Sequence, residues 1–253
     1  AFKIWQEQGI SGIYRLGMHR RFGGFNGPFD KFLYLDADIL ILNSLDYIFE
    51  QLNHNDFVVY DFQYKDLSHV FNTKSEKLLD IFPQSRLEKE IFCTGLYAGK
   101  KDLFDAETRQ NLLSKLQDGE AEILYQNAPI NTILNYLVMR SEVDIYNFAF
   151  NLPESEITGC CITSPHFEER DNLVYDRGNC LTYLHYIGLS SKFFKRLCSG
   201  ENVDFPYRET FLHYRYLNEP DKRPKFTTKP VAYNAPPSLS TRVLKRLGIK
   251  AGA

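Results

Sequence analysis

The sequence predicts an α/β fold, built on a mixed and mostly parallel sheet flanked by helices. Three observations point there. The run "FLYLDADILIL" at residues 32–42 is apolar at nearly every position, the pattern of a strand covered on both faces rather than one with an alternating wet face. "NSLDYIFEQL" at residues 43–52 follows at once, with Leu45, Ile48, Phe49 and Leu52 at helical spacing. Strand-like and helix-like segments then alternate along the chain, with no repeat, no low-complexity tract and no linker long enough to split its 253 residues into separate domains.

Taken in order, residues 1–22 read as a helix, broken around 9–12 by two glycines and ended by "GGFNGP" at 23–28. The apolar strand at 32–42 comes next. In the helix at 43–52, Asn43 is placed to cap and Asp46 to favour the first turn. "DFVVYDFQY" at 56–64 reads as a second strand and "SEKLLDIF" at 75–82 as a short helix. "EIFCTGLYAGKKDLF" at 90–104 is a strand whose internal glycine marks a bulge or a close backbone approach. Residues 108–119 and 128–141 are helical, the second opening with Pro129 in its first turn. Residues 141–152 form a strand, and 172–188 form two strands around the turn Asp176-Arg177-Gly178-Asn179. The expected division is one α/β domain over 1–218 and a Pro-rich, basic tail over 219–253.

A net charge of −2 carries no nucleic-acid footprint. Core packing accounts for most of the 20 Phe and 16 Tyr. Five cysteines, an odd number without regular spacing, indicate reduced thiols and a cytoplasmic protein rather than a disulfide framework. Neither CxxC nor HExxH occurs, which removes the usual structural zinc sites. The opening "AFKIWQEQG" lacks the pattern of a signal peptide, and no uncharged apolar stretch reaches the length of a membrane span. In the final "STRVLKRLGIKAGA", Arg242, Lys245, Arg246 and Lys250 surround Val243, Leu244, Leu247 and Ile249. A solvated tail is the favoured reading; a weak peripheral contact with a membrane surface is the alternative.

Burying a charge without a partner is expensive, so Asp36 and Asp38 inside the apolar run need a reason. Two apart on a strand, they share a face near its carboxyl end, where open α/β sheets place ligands. Three readings compete. One acid is solvated while the other caps the next helix; or Asp36 is the nucleophile of a phosphatase of the haloacid dehalogenase type; or both acids hold a hard divalent cation. Against the second, the fifth position of the D-x-D-x-[TV] motif is Leu40. Against the first stand the apolar run before the acids and "ILILNSLDYIF" after them, which make this D-x-D far more specific than an isolated one.

"YRLGMHRRFGGFNGPFDKFLYLDADILILNSLDYIF", residues 14–49, resembles the retaining glycosyltransferases of the glycogenin and lipopolysaccharide-galactosyltransferase type, a family-8-like group with the GT-A fold. The resemblance implies a metal-dependent hexosyltransferase that takes a hexose from a nucleotide diphosphate sugar to a carbohydrate or glycoconjugate acceptor with retention. It implies that Asp36 and Asp38, with Ala37 between them, bind Mn²⁺ or Mg²⁺ and through it the donor, and that Arg15 reaches the donor sugar or its phosphates. "LHYIGLSSK" at 184–192 resembles the family's His-x-x-Gly-x-x-Lys segment. By that likeness His185 is the third metal ligand, Gly188 lets backbone approach the diphosphate, and Lys192 neutralises it. Lys192 lies one residue beyond the family spacing, with Ser190 and Ser191 as its helpers.

Two weaker likenesses follow. In "FCTGLYAGKKDLF", Gly95 matches a family glycine that packs against the donor sugar, whereas Cys93 stands in place of an Asn. In "PINTILNYLV", Leu134 and Asn135 match, whereas Ile130 and Asn131 replace the family's acid and amide, leaving Asn131 as the candidate polar group facing the sugars. The family's retaining reaction is written either as same-face attack or through a covalent intermediate, and Ile130 supplies no nucleophile. A GT-A domain opens with nucleotide-binding strands ahead of this helix, and the sequence is expected to lack them. A transferase-like binding protein without turnover is the alternative reading.

Overall fold

The computed structural model describes residues 1–7, 18–127 and 129–236; Arg15, the expected helix break at 9–12 and the basic stretch 240–253 lie outside the described residues. Helix α1 (Phe2–Glu7) and a 3₁₀ stretch (Met18–Asn26) precede β1 (Lys31–Leu35) and β2 (Ile39–Ile41). Then come α2 (Asp46–Gln51), β3 (Phe57–Val59), α3 (Lys77–Ile81), α4 (Gln84–Glu90), β4 (Leu96–Lys100), α5 (Ala106–Gln117), α6 (Pro129–Arg140), β5 (Ile145–Asn147) and α7 (Phe148–Asn151). The remainder comprises β6 (Glu168–Arg170), β7 (Leu173–Asp176), β8 (Asn179–Cys180), β9 (Tyr183–His185), α8 (Ser191–Cys198), β10 (Val203–Asp204), α9 (Arg208–Arg215) and β11 (Val231–Ala232). The fold is mixed α/β. No helix among the described residues is long and apolar enough to cross a membrane.

The chain gathers into two compact units, Ala1–Glu168 with Tyr175–His185, and Glu169–Val174 with Tyr186–Ala253. The centre of the first is a four-stranded sheet in the order β1-β4-β3-β5. Strands β1, β3 and β5 run the same way, but β4 is reversed and sits between β1 and β3, so two of the three pairings are antiparallel. That corrects the mostly parallel expectation. Strand direction is set by the connections, which a hydrophobicity pattern does not encode.

Coverage of the sheet on both faces, in contrast, follows from the pattern. Phe57, Val59 and Tyr97 enter one apolar cluster, with Phe32, Tyr34 and Ile145 packed against it. Val58, Tyr60, Leu96 and Ala98 enter the other, with Leu33, Leu35 and Tyr146 against it. Successive side chains thus alternate between two cores. Each centre of ring contact, such as Phe25 edge-on to Phe32 at 4.9 Å and Phe57 stacked on Tyr97 at 5.5 Å, adds about 1 kcal/mol beyond burial. Strand β1 is only half-buried because it lies at the margin of this sheet, short of the full coverage its apolar run predicts.

Other elements differ in extent. The single strand expected over 32–42 is two strands, β1 and β2, separated by a turn at Ala37 and Asp38. "GGFN" does not end a helix but continues the 3₁₀ stretch. Asn43 accepts from Ser44 N–H at 2.8 Å, a local turn ahead of α2 rather than its cap. The strand expected over 141–152 stops at Asn147, whose side chain accepts Ala149 N–H at 3.0 Å and starts α7. The predicted hairpin forms between β7 and β8, with Arg177 and Gly178 at positive φ in the turn. Its second strand splits, and β9 pairs with β2 instead.

In the second unit, Tyr186, Phe194, Phe205 and Phe211 form an aromatic knot, Phe194 and Phe211 lying 4.9 Å apart. Part of the expected tail belongs here: β11 pairs in parallel with β10, Val231 opposite Val203.

Candidate metal centre

The site begins where β1 ends. Asp36 N–H donates to Gly95 O at 2.8 Å, and Asp36 O accepts from Ile39 N–H at 3.1 Å. The turn closed by that second bond carries the chain out of the four-stranded sheet into β2, which runs antiparallel to β9 with Ile39 opposite His185. Asp38 therefore emerges beside the register partner of His185, and His185 Nε2 lies 3.4 Å from Asp38 Oδ1. The acids sit at two corners of a turn rather than on one strand face. The local reason is that β2 pairs with β9 and β1 pairs with β4, so the apolar run has to bend between two sheets.

Ligand atoms of Asp36, Asp38 and His185 all lie within 4.8 Å of one another. Two carboxylates and an imidazole form a donor set suited to a divalent cation, the carboxylates favouring Mg²⁺ or Mn²⁺ and the imidazole favouring Mn²⁺ of the two. The His185 side chain is 8% exposed and that of Asp38 37%, so the imidazole forms the floor and the carboxylate reaches toward solvent. A hydrogen bond from His185, opposed by partial burial and aided by the imidazole's charge, holds the Asp38 carboxyl below its usual range. Burial alone would lower the basicity of His185, but the hydrogen bond to Asp38 and its charge outweigh that and raise it. A cation held here would compete with protons for the imidazole, the usual linkage for a histidine ligand.

The supporting residues lock this arrangement. Gly95, expected against a donor sugar, faces the imidazole: a methyl group there would lie 2.6 Å from His185 Cε1. The same residue's carbonyl holds Asp36. Asp36 Oδ1 accepts from Arg21 Nη2 at 2.9 Å and from the Tyr34 hydroxyl at 2.7 Å. Arg21 Nη1 donates to Thr94 Oγ1 at 3.0 Å and to Thr94 O at 3.1 Å, and its guanidinium lies 4.8 Å over the Tyr34 ring. Thr94 donates onward to Asn131 Oδ1 at 2.7 Å. A continuous chain thus runs Asn131–Thr94–Arg21–Asp36. Asn135 anchors its far end, bonding Phe92 N–H and Phe92 O at 2.9 and 2.8 Å and Asn131 O at 2.8 Å.

Of the sequence-predicted residues, the structure brings Asp36, Asp38, His185 and Gly95 together, and ties Asn131 to Asp36 through two intermediaries. Ala37 is the exposed tip of the turn. Ile130 and Leu134 are buried among apolar neighbours. Arg15 lies outside the described residues. Gly188, at φ +78°, and Lys192, with its ammonium 4.8 Å over the Phe193 ring, belong to the second unit. Sequence reasoning missed Arg21, Tyr34 and Thr94. Tyr34 was findable: it lies two residues before Asp36 in the run that reads as one strand, a spacing that puts both on one face.

It also missed Asp61, a buried acid whose Oδ2 accepts Cys93 N–H and Gln63 N–H, both at 2.7 Å. Burial pushes its carboxyl above the usual range in spite of those two bonds. Burial, reinforced by the charge of Asp61, likewise raises the Cys93 thiol. Tyr34 is pushed up to about 12 by burial and by its bond to Asp36, so it remains a hydrogen-bond donor.

No family model, curated protein or solved structure matches this chain.

Proposed function

We propose that this chain is a metal-dependent hexosyltransferase of the GT-A class, moving a hexose from a nucleotide diphosphate sugar to a carbohydrate or glycoconjugate acceptor with retention of configuration. The observation that carries this reading is the convergence of Asp36, Asp38 and His185, drawn from segments almost 150 residues apart in sequence, at the carboxyl end of β1. Those are the three residues that the family resemblance names as metal ligands. Mn²⁺ or Mg²⁺ held there would bridge the donor's diphosphate and offset the charge it gains on leaving.

The chain's own residues take the remaining roles. Asp38 is the more exposed carboxylate and the one free to turn toward a cation; Asp36 is fixed by Arg21 and Tyr34 with one oxygen engaged. His185 is oriented by Gly95 and by its backbone bonds. Arg21 supplies fixed positive charge next to Asp36, while Arg15, proposed for the donor sugar or its phosphates, lies outside the described residues.

One observation favours a second reading, a binding protein with the same site but no turnover. Asn131, the candidate for the sugar-facing amide, spends its oxygen on Thr94 N–H and Thr94 Oγ1, and Ile130 beside it is buried. The test is transfer or hydrolysis of a panel of nucleotide sugars with Mn²⁺, for wild type and Asp38→Ala. Turnover abolished by EDTA and by the substitution is the expected result. Binding without consumption selects the second reading, and turnover indifferent to both treatments overturns the first.

A further inference from the structure

Cys160 and Cys161 carry their sulfurs 3.7 Å apart, although neighbouring side chains on extended backbone point to opposite faces. Both are free thiols. Cys160 is buried, whereas Cys161 is partly exposed, which gives a small oxidant a route to the pair.

The backbone around these two residues is fastened to His185 on both sides. His185 N–H donates to Cys160 O at 2.7 Å, and Ile162 N–H donates to His185 O at 3.1 Å. Cys161 and His185 are bridge partners across this parallel contact. Any twist of the 160–161 peptide is therefore passed to the backbone that positions the imidazole.

We propose that Cys160 and Cys161 form a reversible vicinal disulfide, and that closing it moves His185 relative to Asp36 and Asp38. A peroxide is the oxidant. One thiolate attacks a peroxide oxygen, giving a sulfenic acid and one water; the second thiol displaces the sulfenic hydroxyl as water and forms the S–S bond. Two thiols and one hydrogen peroxide thus yield the disulfide and two waters. The sulfurs have to close from 3.7 Å to about 2.05 Å. The resulting small ring contains the peptide bond itself, so the strain falls on the backbone and keeps the bond easy to reduce by a dithiol. The consequence for metal affinity rests on the metal reading of the Asp36, Asp38 and His185 site; the disulfide and the movement of His185 do not.

The experiment treats the full chain, reduced and desalted, with a small excess of hydrogen peroxide. Peptide mapping locates the linkage. The His185 ring resonance, assigned with His185→Gln, reports its position without metal, and Mn²⁺ calorimetry reports affinity. A Cys160–Cys161 link reversed by dithiothreitol, a shifted His185 resonance, and Mn²⁺ affinity lowered on the order of tenfold are expected. Cys160→Ser and the milder Cys161→Ser should each abolish all three responses to peroxide. No link, a link to another cysteine, or a link that leaves the His185 resonance in place overturns the proposal. Failure of the reduced wild type to take up Mn²⁺ is seen separately and counts against the metal reading, while mapping and the resonance still decide the disulfide.

Discussion

The imidazole of His185 lies against the bare α-carbon of Gly95, and the carbonyl of Gly95 accepts the Asp36 N–H at 2.8 Å. One small residue therefore fixes both the floor and one wall of the candidate centre. Gly95→Ala would place its methyl 2.6 Å from His185 Cε1, closer than packed atoms tolerate, so the ring has to move. The expected outcome is Mn²⁺ affinity lowered by on the order of 10- to 100-fold, with the far-ultraviolet dichroism of the fold retained. Unchanged affinity in a folded Gly95→Ala variant would show that the ring position does not matter.

Arg21 and Asp36 form a pair with side chains 11% and 27% exposed. It lies between a surface pair, worth under about 1 kcal/mol, and a fully buried one, whose disruption costs about 3–5 kcal/mol. Arg21→Met is expected to lower stability by about 2 kcal/mol in urea denaturation, because it also strips Thr94 of two bonds. Combined with Tyr34→Phe, the losses should not add, since both side chains donate to the same Asp36 oxygen. Simple additivity would contradict the shared network.

Asn135 is fully buried and makes three hydrogen bonds to backbone. Asn135→Leu leaves Phe92 N–H and Phe92 O without that partner, and is expected to cost about 3 kcal/mol or more. A chemical melt near the wild-type midpoint would mean that the segment before β4 does not depend on this amide.

Glu120 receives a bidentate contact from Arg140 and a bond from the Tyr136 hydroxyl. Burial pushes its carboxyl up, but these partners outweigh it and hold the pKa below its ordinary value of 4.5. The folded state thus binds the proton less readily than the unfolded one. Its contribution is present above the ordinary value and is lost as pH falls through the depressed one. Melting temperature should fall more steeply between about pH 5 and about pH 3 in wild type than in Glu120→Gln. Parallel curves would remove Glu120 from the acid sensitivity of the fold.

Much of the fold was legible because it rests on local periodicity. The strands at Phe57–Val59 and Leu96–Lys100, and the helices at Ala106–Gln117 and Pro129–Arg140, all fall inside the segments that the apolar pattern marks. Strand order and the reversal of β4 were not legible, because pairing partners are chosen by connections and by cores that form only once the chain has folded. The same division holds for the site. Asp36, Asp38 and His185 were named from short motifs, whereas the turn that separates the acids depends on β2 leaving for β9, a contact invisible in the run itself. Arg21 carried no distinguishing signal among neighbouring basic residues; its role comes from reaching Thr94, more than 70 residues away.

The central claim is that Asp36, Asp38 and His185 together hold a divalent cation. Mn²⁺ titration calorimetry on the wild type, Asp38→Ala and His185→Ala tests it most directly, with circular dichroism to show that each variant is folded. The account predicts saturable uptake by the wild type that EDTA reverses, and loss of that uptake in both folded variants. Uptake that both substitutions leave untouched, or none by the wild type at neutral pH, would contradict it.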